Sequence, residues 1–128
     1  FFEYVSQEKL ISLFNTADLF IHASEIELEG MAVLEAIGCG LPALISDAKH
    51  SASTQFALND EFLFSAGNVD SLVSKLDYWI AHEAELQASK SAYLERAQAY
   101  AFDVSVQYAR SLYQNLVTQK KSAPSQLV

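Results

Sequence analysis

Basic residues are scarce in this sequence. Eight lysines and arginines face sixteen acidic residues across 128 positions, leaving a formal net charge of −8. That balance argues against broad nucleic-acid binding, which needs a basic face. It also argues against adhesion to anionic lipid through a polybasic patch. Cysteine is limited to Cys39, so no internal disulfide is available, and the usage fits a reducing compartment. No apolar run approaches the length of a membrane span. No segment has the pattern of a secretory signal. Repeats and low-complexity tracts are missing too. Apolar content is ample at 51%, enough for one domain with a real core and against disorder outside the ends. The sequence opens on Phe1 rather than Met and is expected to be a piece of a longer chain.

Hydrophobic spacing sets the expected elements. Phe1 to Val5 reads as a strand or the end of one. Ser6 is a good helix cap, and Leu10, Leu13, Phe14 and Ala17 recur at helical spacing behind it. Leu19 to His22 is a compact strand. A helix is expected over Met31 to Ile37, with Val33, Leu34 and Ile37 facing a sheet and Gly38 and Gly40 turning the chain around Cys39. Pro42 leads into a strand at Ala43 to Ser46. Asp47 to Ser53 reads as a polar loop, Ala52 to Leu58 as a short helix, Phe62 to Phe64 as an edge strand and Gly67-Asn68 as a turn. Asp70 is expected to open a helix whose stripe is Leu72, Val73, Leu76, Trp79 and Ile80. Glu83 to Tyr100 reads as a polar helix touching the core through Leu86, Tyr93, Leu94 and Ala97. Asp103 caps a last helix with Ala109, Leu112, Tyr113, Leu116 and Val117. Strands alternating with helices predict an α/β fold, Rossmann-like, with a short parallel sheet of about four strands and a helical C-terminus.

The chemistry concentrates between Leu19 and Asp47. Glu25, Glu27 and Glu29 precede Gly30, and Glu35 lies one turn inside the following helix. This is the strand-to-helix crossover where open α/β sheets bind ligands. A helix N-terminus offers free N–H groups and a positive dipole end to a phosphate or a sugar hydroxyl. Gly30 lets a ligand approach the backbone closely. Carboxylates at Glu27 and Glu35 accept hydrogen bonds from hydroxyl-rich ligands. Glu25 and Glu29 read as solvated surface charge. His22, at the end of its strand, His50, on the loop after the next strand at the same edge of the sheet, and Ser24 are rim candidates, although a histidine or serine at such a place commonly bonds to nearby backbone. Cys39 has no base beside it in sequence and reads as a small residue at a helix end. Trp79 and Tyr78 read as packing residues rather than a sugar platform.

Ser24, Glu27 and the run Gly30-Met31-Ala32-Val33-Leu34-Glu35-Ala36-Ile37-Gly38-Cys39-Gly40-Leu41-Pro42-Ala43-Leu44-Ile45-Ser46 resemble the E-x7-E region of retaining glycosyltransferases of family four, glycosyl transferases group 1, which have the two-domain GT-B architecture. Leu10, Leu13, Phe14 and Ala17-Asp18-Leu19-Phe20-Ile21 resemble the lead-in to that region. The likeness spans about residues 1–118, taken as a donor-binding C-terminal domain truncated on its N-terminal side, with 119–128 as a frayed tail.

The resemblance implies a role for each matching position. Glu27 is the catalytic candidate and faces the transferred sugar. Glu35 holds the ribose of the nucleotide. Gly30 and Met31 offer backbone N–H groups to the sugar or diphosphate. No metal and no cofactor are implied, and the donor is a UDP- or GDP-linked sugar. The implied reaction is hexosyl transfer to a sugar, lipid or polyol acceptor with retention, in polysaccharide or glycolipid biosynthesis. The implied location is the cytoplasm, at the inner face of the membrane for the full-length protein. Two features depart from the pattern. Glu29 stands where an aromatic is usual before the glycine. The Arg/Lys pair that neutralises the diphosphate is not among these residues, and neither is the N-terminal acceptor domain. The isolated chain is therefore expected to be inactive and to self-associate, by pairing of its open sheet edge or by exchange of the C-terminal helix. Two other readings are a nucleotide-sugar epimerase of the same fold and a non-catalytic α/β interaction module.

Overall fold

Ser6 starts the first regular element. Its hydroxyl accepts the Lys9 N–H at 3.4 Å and caps α1 (Gln7–Thr16), whose last turn is closed by the Ala17 N–H on the Leu13 carbonyl. The computed structural model describes residues 4–122. After α1 come β1 (Phe20–His22), β2 (Ile26–Glu27), α2 (Met31–Gly38), β3 (Ala43–Ser46) and β4 (His50–Ser51). Two 3-10 turns, Ala52–Phe56 and Asp60–Phe62, lead to β5 (Leu63–Phe64). Helices α3 (Val69–Ala81), α4 (Glu83–Gln98) and α5 (Phe102–Ser122) complete the order.

Three strands form a parallel sheet in the order β1-β3-β5, with Phe20 opposite Ala43, His22 opposite Ile45 and Ser46 opposite Phe64. All four residues of β3 are buried, as a central parallel strand requires. A second, two-stranded parallel ladder pairs Ile26 with His50 and Glu27 with Ser51. Each of its strands follows the C-terminal end of a main-sheet strand, so the small ladder prolongs that end of the sheet.

The core gathers Val33 and Ile37 of α2, Ala43 and Ile45 of β3, Phe56, Phe62, Trp79, Leu86 and Tyr93. Phe62 stacks on Trp79 at 4.2 Å and meets Tyr93 edge-to-face at 5.1 Å. Both polar aromatics find partners for their donors. The Trp79 indole N–H donates to the Glu61 carbonyl at 3.1 Å, and the Tyr93 hydroxyl donates to the Ala43 carbonyl at 3.1 Å. Burial pushes the Tyr93 phenol well above its ordinary pKa, so it remains a neutral donor.

Several expectations need correction. The main sheet has three strands, not about four. Of the strand expected at Phe1 to Val5, residues 1–3 lie outside the described residues, and Tyr4 and Val5 form no strand because they lead directly into the Ser6 cap. The expected loop at Asp47 to Ser53 contains β4. Asn68 rather than Asp70 caps α3, its side chain accepting the Ser71 N–H at 3.0 Å. In the α3 stripe Trp79 is buried, but Val73 and Ile80 are exposed. At the end of α2 only Gly40 is left-handed (φ 74°), while Gly38 belongs to the helix. Leu94 keeps its contact, packing against Gly40, but stays partly exposed on α4. Asp103 lies in the first turn of α5 rather than at its cap.

The chain divides into two units, Phe1–Ala97 and Gln98–Val128. The first holds the sheets and their core. In the second, α5 runs to Ser122, and residues 101–118 are exposed throughout. Residues 123–128 of the expected tail lie outside the described residues.

Candidate functional site

The C-terminal end of the parallel sheet carries the groups of interest. β1 ends on His22 and β3 on Ser46. The Ser46 hydroxyl donates to the Ser24 carbonyl at 2.6 Å, and the Ser24 hydroxyl donates to the Ile26 carbonyl at 2.8 Å. These two bonds tie the connection after β1 to the end of β3 and deliver Glu27 into the β2–β4 ladder. Ser24 is thus engaged with backbone. His50 is exposed on β4, opposite Ile26.

Glu27 sits above the turn that leads into α2. Its Oε1 accepts the Glu29 N–H at 3.4 Å. The Gly30 N–H, and then the Glu29 N–H, hold its carboxyl below the usual glutamate range, with smaller help from His22 and Leu28 and partial opposition from burial. The charged form is therefore favoured, with its side chain 30% exposed. On its other side Oε2 lies 3.8 Å from His22 Nε2.

Gly30 departs from the sequence reading in an instructive way. It is left-handed (φ 74°) and precedes α2 without a side-chain cap. A Cβ there would lie 2.8 Å from Phe56 Cε2, 2.8 Å from Ser53 Oγ and 3.2 Å from Ser53 Cα. The space spared by the missing side chain is filled by the protein's own 3-10 turn, not left open to a ligand. Its N–H turns to Glu27. Met31, half exposed, begins α2 and is the first helical residue at that end.

Glu35 is exposed on α2 and lines a hollow of about 200 Å³ with Gln7, Leu10, Ile11, Phe14 and Cys39, on the α1 side. The structure brings together His22, Glu27 and Gly30, with Ser24 bonded to the backbone of the same connection, and Glu35 lies on α2 beside the α1 hollow.

Sequence reasoning missed Ser53. It is fully buried against Gly30, and its hydroxyl has no hydrogen-bond partner among the described residues. Ser51 beside it caps the 3-10 turn by accepting the Ser53 N–H at 3.3 Å. The Ser-Ala-Ser run after His50 was the available signal, since serines at such spacing build local turns.

Comparisons with known proteins point one way. A family model for glycosyl transferases group 1 matches residues 1–97. Among solved structures, the crystal structure of the catalytic domain of cholesterol-alpha-glucosyltransferase from Helicobacter pylori is similar, with 33% sequence identity and a TM-score of 0.73. The match covers 77% of this chain and 62% of that one, so the chain spans less than two thirds of its structural relative. No curated protein matches the sequence significantly.

Proposed function

The chain belongs to the glycosyl transferases group 1 family, and from that premise we propose that it supplies part of the donor site of a retaining hexosyltransferase. The donor is a nucleotide sugar, UDP- or GDP-linked, and the acceptor a sugar, lipid or polyol. The observation that carries the reading is the Glu27 turn. A carboxylate kept ionised by backbone N–H groups stands at the C-terminal end of a parallel sheet, beside the N-terminus of α2. Such a group accepts hydrogen bonds from sugar hydroxyls and stabilises positive charge that develops on a sugar ring.

In this reading Glu27 faces the transferred hexose. The Met31 N–H and the positive end of α2 face the diphosphate side, and Gly30 acts through its hold on Glu27. Glu35 takes the ribose from its exposed position above the α1 hollow. Glucose is the first sugar to test, because the similar structure is named as a glucosyltransferase. The acceptor domain and the cations that bind the diphosphate are supplied by other parts of the full protein. The single cysteine fits a cytoplasmic setting, and no helix of the described residues is long and apolar enough to cross a membrane.

Calorimetric titration of UDP-glucose and of GDP-mannose into the full-length protein separates this reading from an interaction module. Saturable millimolar binding of one donor, lost in Glu35→Ala, is expected. No binding of either at millimolar concentration would overturn it.

A further inference from the structure

His22 is not accounted for by the role of its neighbours. Its ring closes β1, lies nearly parallel to the Phe20 ring at 6.3 Å between centroids, and leaves only 12% of the side chain exposed. Its Nε2 is buried and has no hydrogen-bond partner among the described residues. A buried ring nitrogen without a partner costs free energy and calls for a physical reason. One polar group stands close by: Glu27 Oε2, at 3.8 Å. That distance is beyond a hydrogen bond yet too short for a water to stand between the two atoms, so the approach is direct.

The two oxygens of Glu27 therefore have different neighbours. Oε1 takes the Glu29 N–H of the turn, and Oε2 faces the imidazole edge. The turn is set by Gly30, whose backbone is fixed by contact with Ser53 and Phe56, so it is a firm platform for the first oxygen. Closing the 3.8 Å gap to bonding distance takes a shift of about 1 Å by Oε2. The imidazole itself is held by β1 and by Phe20.

We propose that His22 is the positioning residue for Glu27: a proton on Nε2 is donated to Oε2 and locks the carboxylate over the Gly30 turn, fixing which lone pairs face the sugar. This rests on the reading that Glu27 faces the transferred hexose. A neutral imidazole can do it in the tautomer that carries the proton on Nε2, and a protonated one adds charge attraction. The remaining lone pairs of Glu27 then point away from both the ring and the turn, which is what directional binding of a hydroxyl needs.

The experiment reads Glu27 and His22 directly in the chain, with no donor present. Nitrogen-15 imidazole spectra at neutral pH should show the proton of His22 on Nε2. A proton on Nδ1 instead would overturn the proposal. Carbon-13 carboxyl titration supplies the second arm. In His22→Leu the Glu27 midpoint should move upward, because a donor to the charged form is lost. In His22→Gln, whose amide N–H₂ can reach the same oxygen, it should stay near the wild-type value. An amide spectrum matching wild type shows that each variant keeps the fold. Identical Glu27 midpoints in wild type and His22→Leu would contradict the proposal, and if His22→Leu fails to fold, the tautomer decides alone. Failure of the full-length protein to bind nucleotide sugar, with these tests passed, defeats the donor reading and leaves the pairing intact. Donor binding by the full-length protein with these tests failed does the reverse.

Discussion

Gly30 shows how one residue can serve the site through packing. The sequence marked it as a place where a ligand comes near the backbone, and that logic holds for many glycine-bearing crossovers. In this fold the near neighbours are Ser53 and Phe56, 2.8 Å from where a Cβ would stand. Its positive φ excludes other residues for a second, independent reason. Gly30→Ala should therefore lower folding stability by about 2–4 kcal/mol, adding left-handed strain to overpacking. Urea unfolding followed by circular dichroism measures it. A change within about 0.5 kcal/mol, as at an ordinary surface site, would mean that the turn relaxes freely. Glu27 was legible as a candidate because its type and place both pointed to hydroxyl recognition. Its electrostatic support was not legible, since the N–H groups that hold it converge only when the turn adopts its left-handed form.

Among elements, those with a clear period were readable. The strand Ala43–Ser46 falls where its apolar run predicts, and Met31–Gly38 extends the expected helix by one residue. Capping chemistry was readable at Ser6, whose hydroxyl does bond forward to Lys9. The ladder of Ile26–Glu27 on His50–Ser51 was not readable, because two-residue strands carry no periodicity and exist only through their pairing. α3 shows the same limit from the other side. Its stripe has the spacing of a buried face, yet Val73 is 48% and Ile80 is 77% exposed, so tertiary context decided what was covered. α4 is tied to the sheet by Tyr93, whose hydroxyl meets the backbone of the central strand. Tyr93→Phe leaves the Ala43 carbonyl without that donor in a dry place, and should cost about 1–3 kcal/mol. Thermal or denaturant unfolding checks this. An unchanged midpoint would show that the carbonyl is already satisfied by its strand partner.

At the scale of the whole chain, the parallel sheet places β1 at an edge among the described residues. Beside it Asp18, Leu19, Ile21, Leu76, Trp79, Ile80, Glu83 and Leu86 line an apolar-walled hollow of about 310 Å³. An open strand edge next to apolar surface favours association of two copies. A net charge of −8 per copy opposes it, and salt screens that repulsion. Sedimentation should therefore show a dimer whose share rises with protein concentration and with added sodium chloride. A strictly monomeric profile at high concentration and high salt would refute the expectation. The family and the α/β fold were legible from residues 24–46 together with the lead-in, because the crossover keeps its spacing of carboxylates, glycine and proline. The hollow that Glu35 lines with α1 was not, since spacing along a chain does not say which neighbour a helix face meets. The measurement that bears most directly on the donor site is an amide-resolved titration of the full-length protein with UDP-glucose and GDP-mannose. A site at the start of α2 requires saturable shifts at Met31 and its neighbours from one of these donors, with Glu35→Ala abolishing them. Shifts confined to α5, or none at millimolar donor, would contradict it.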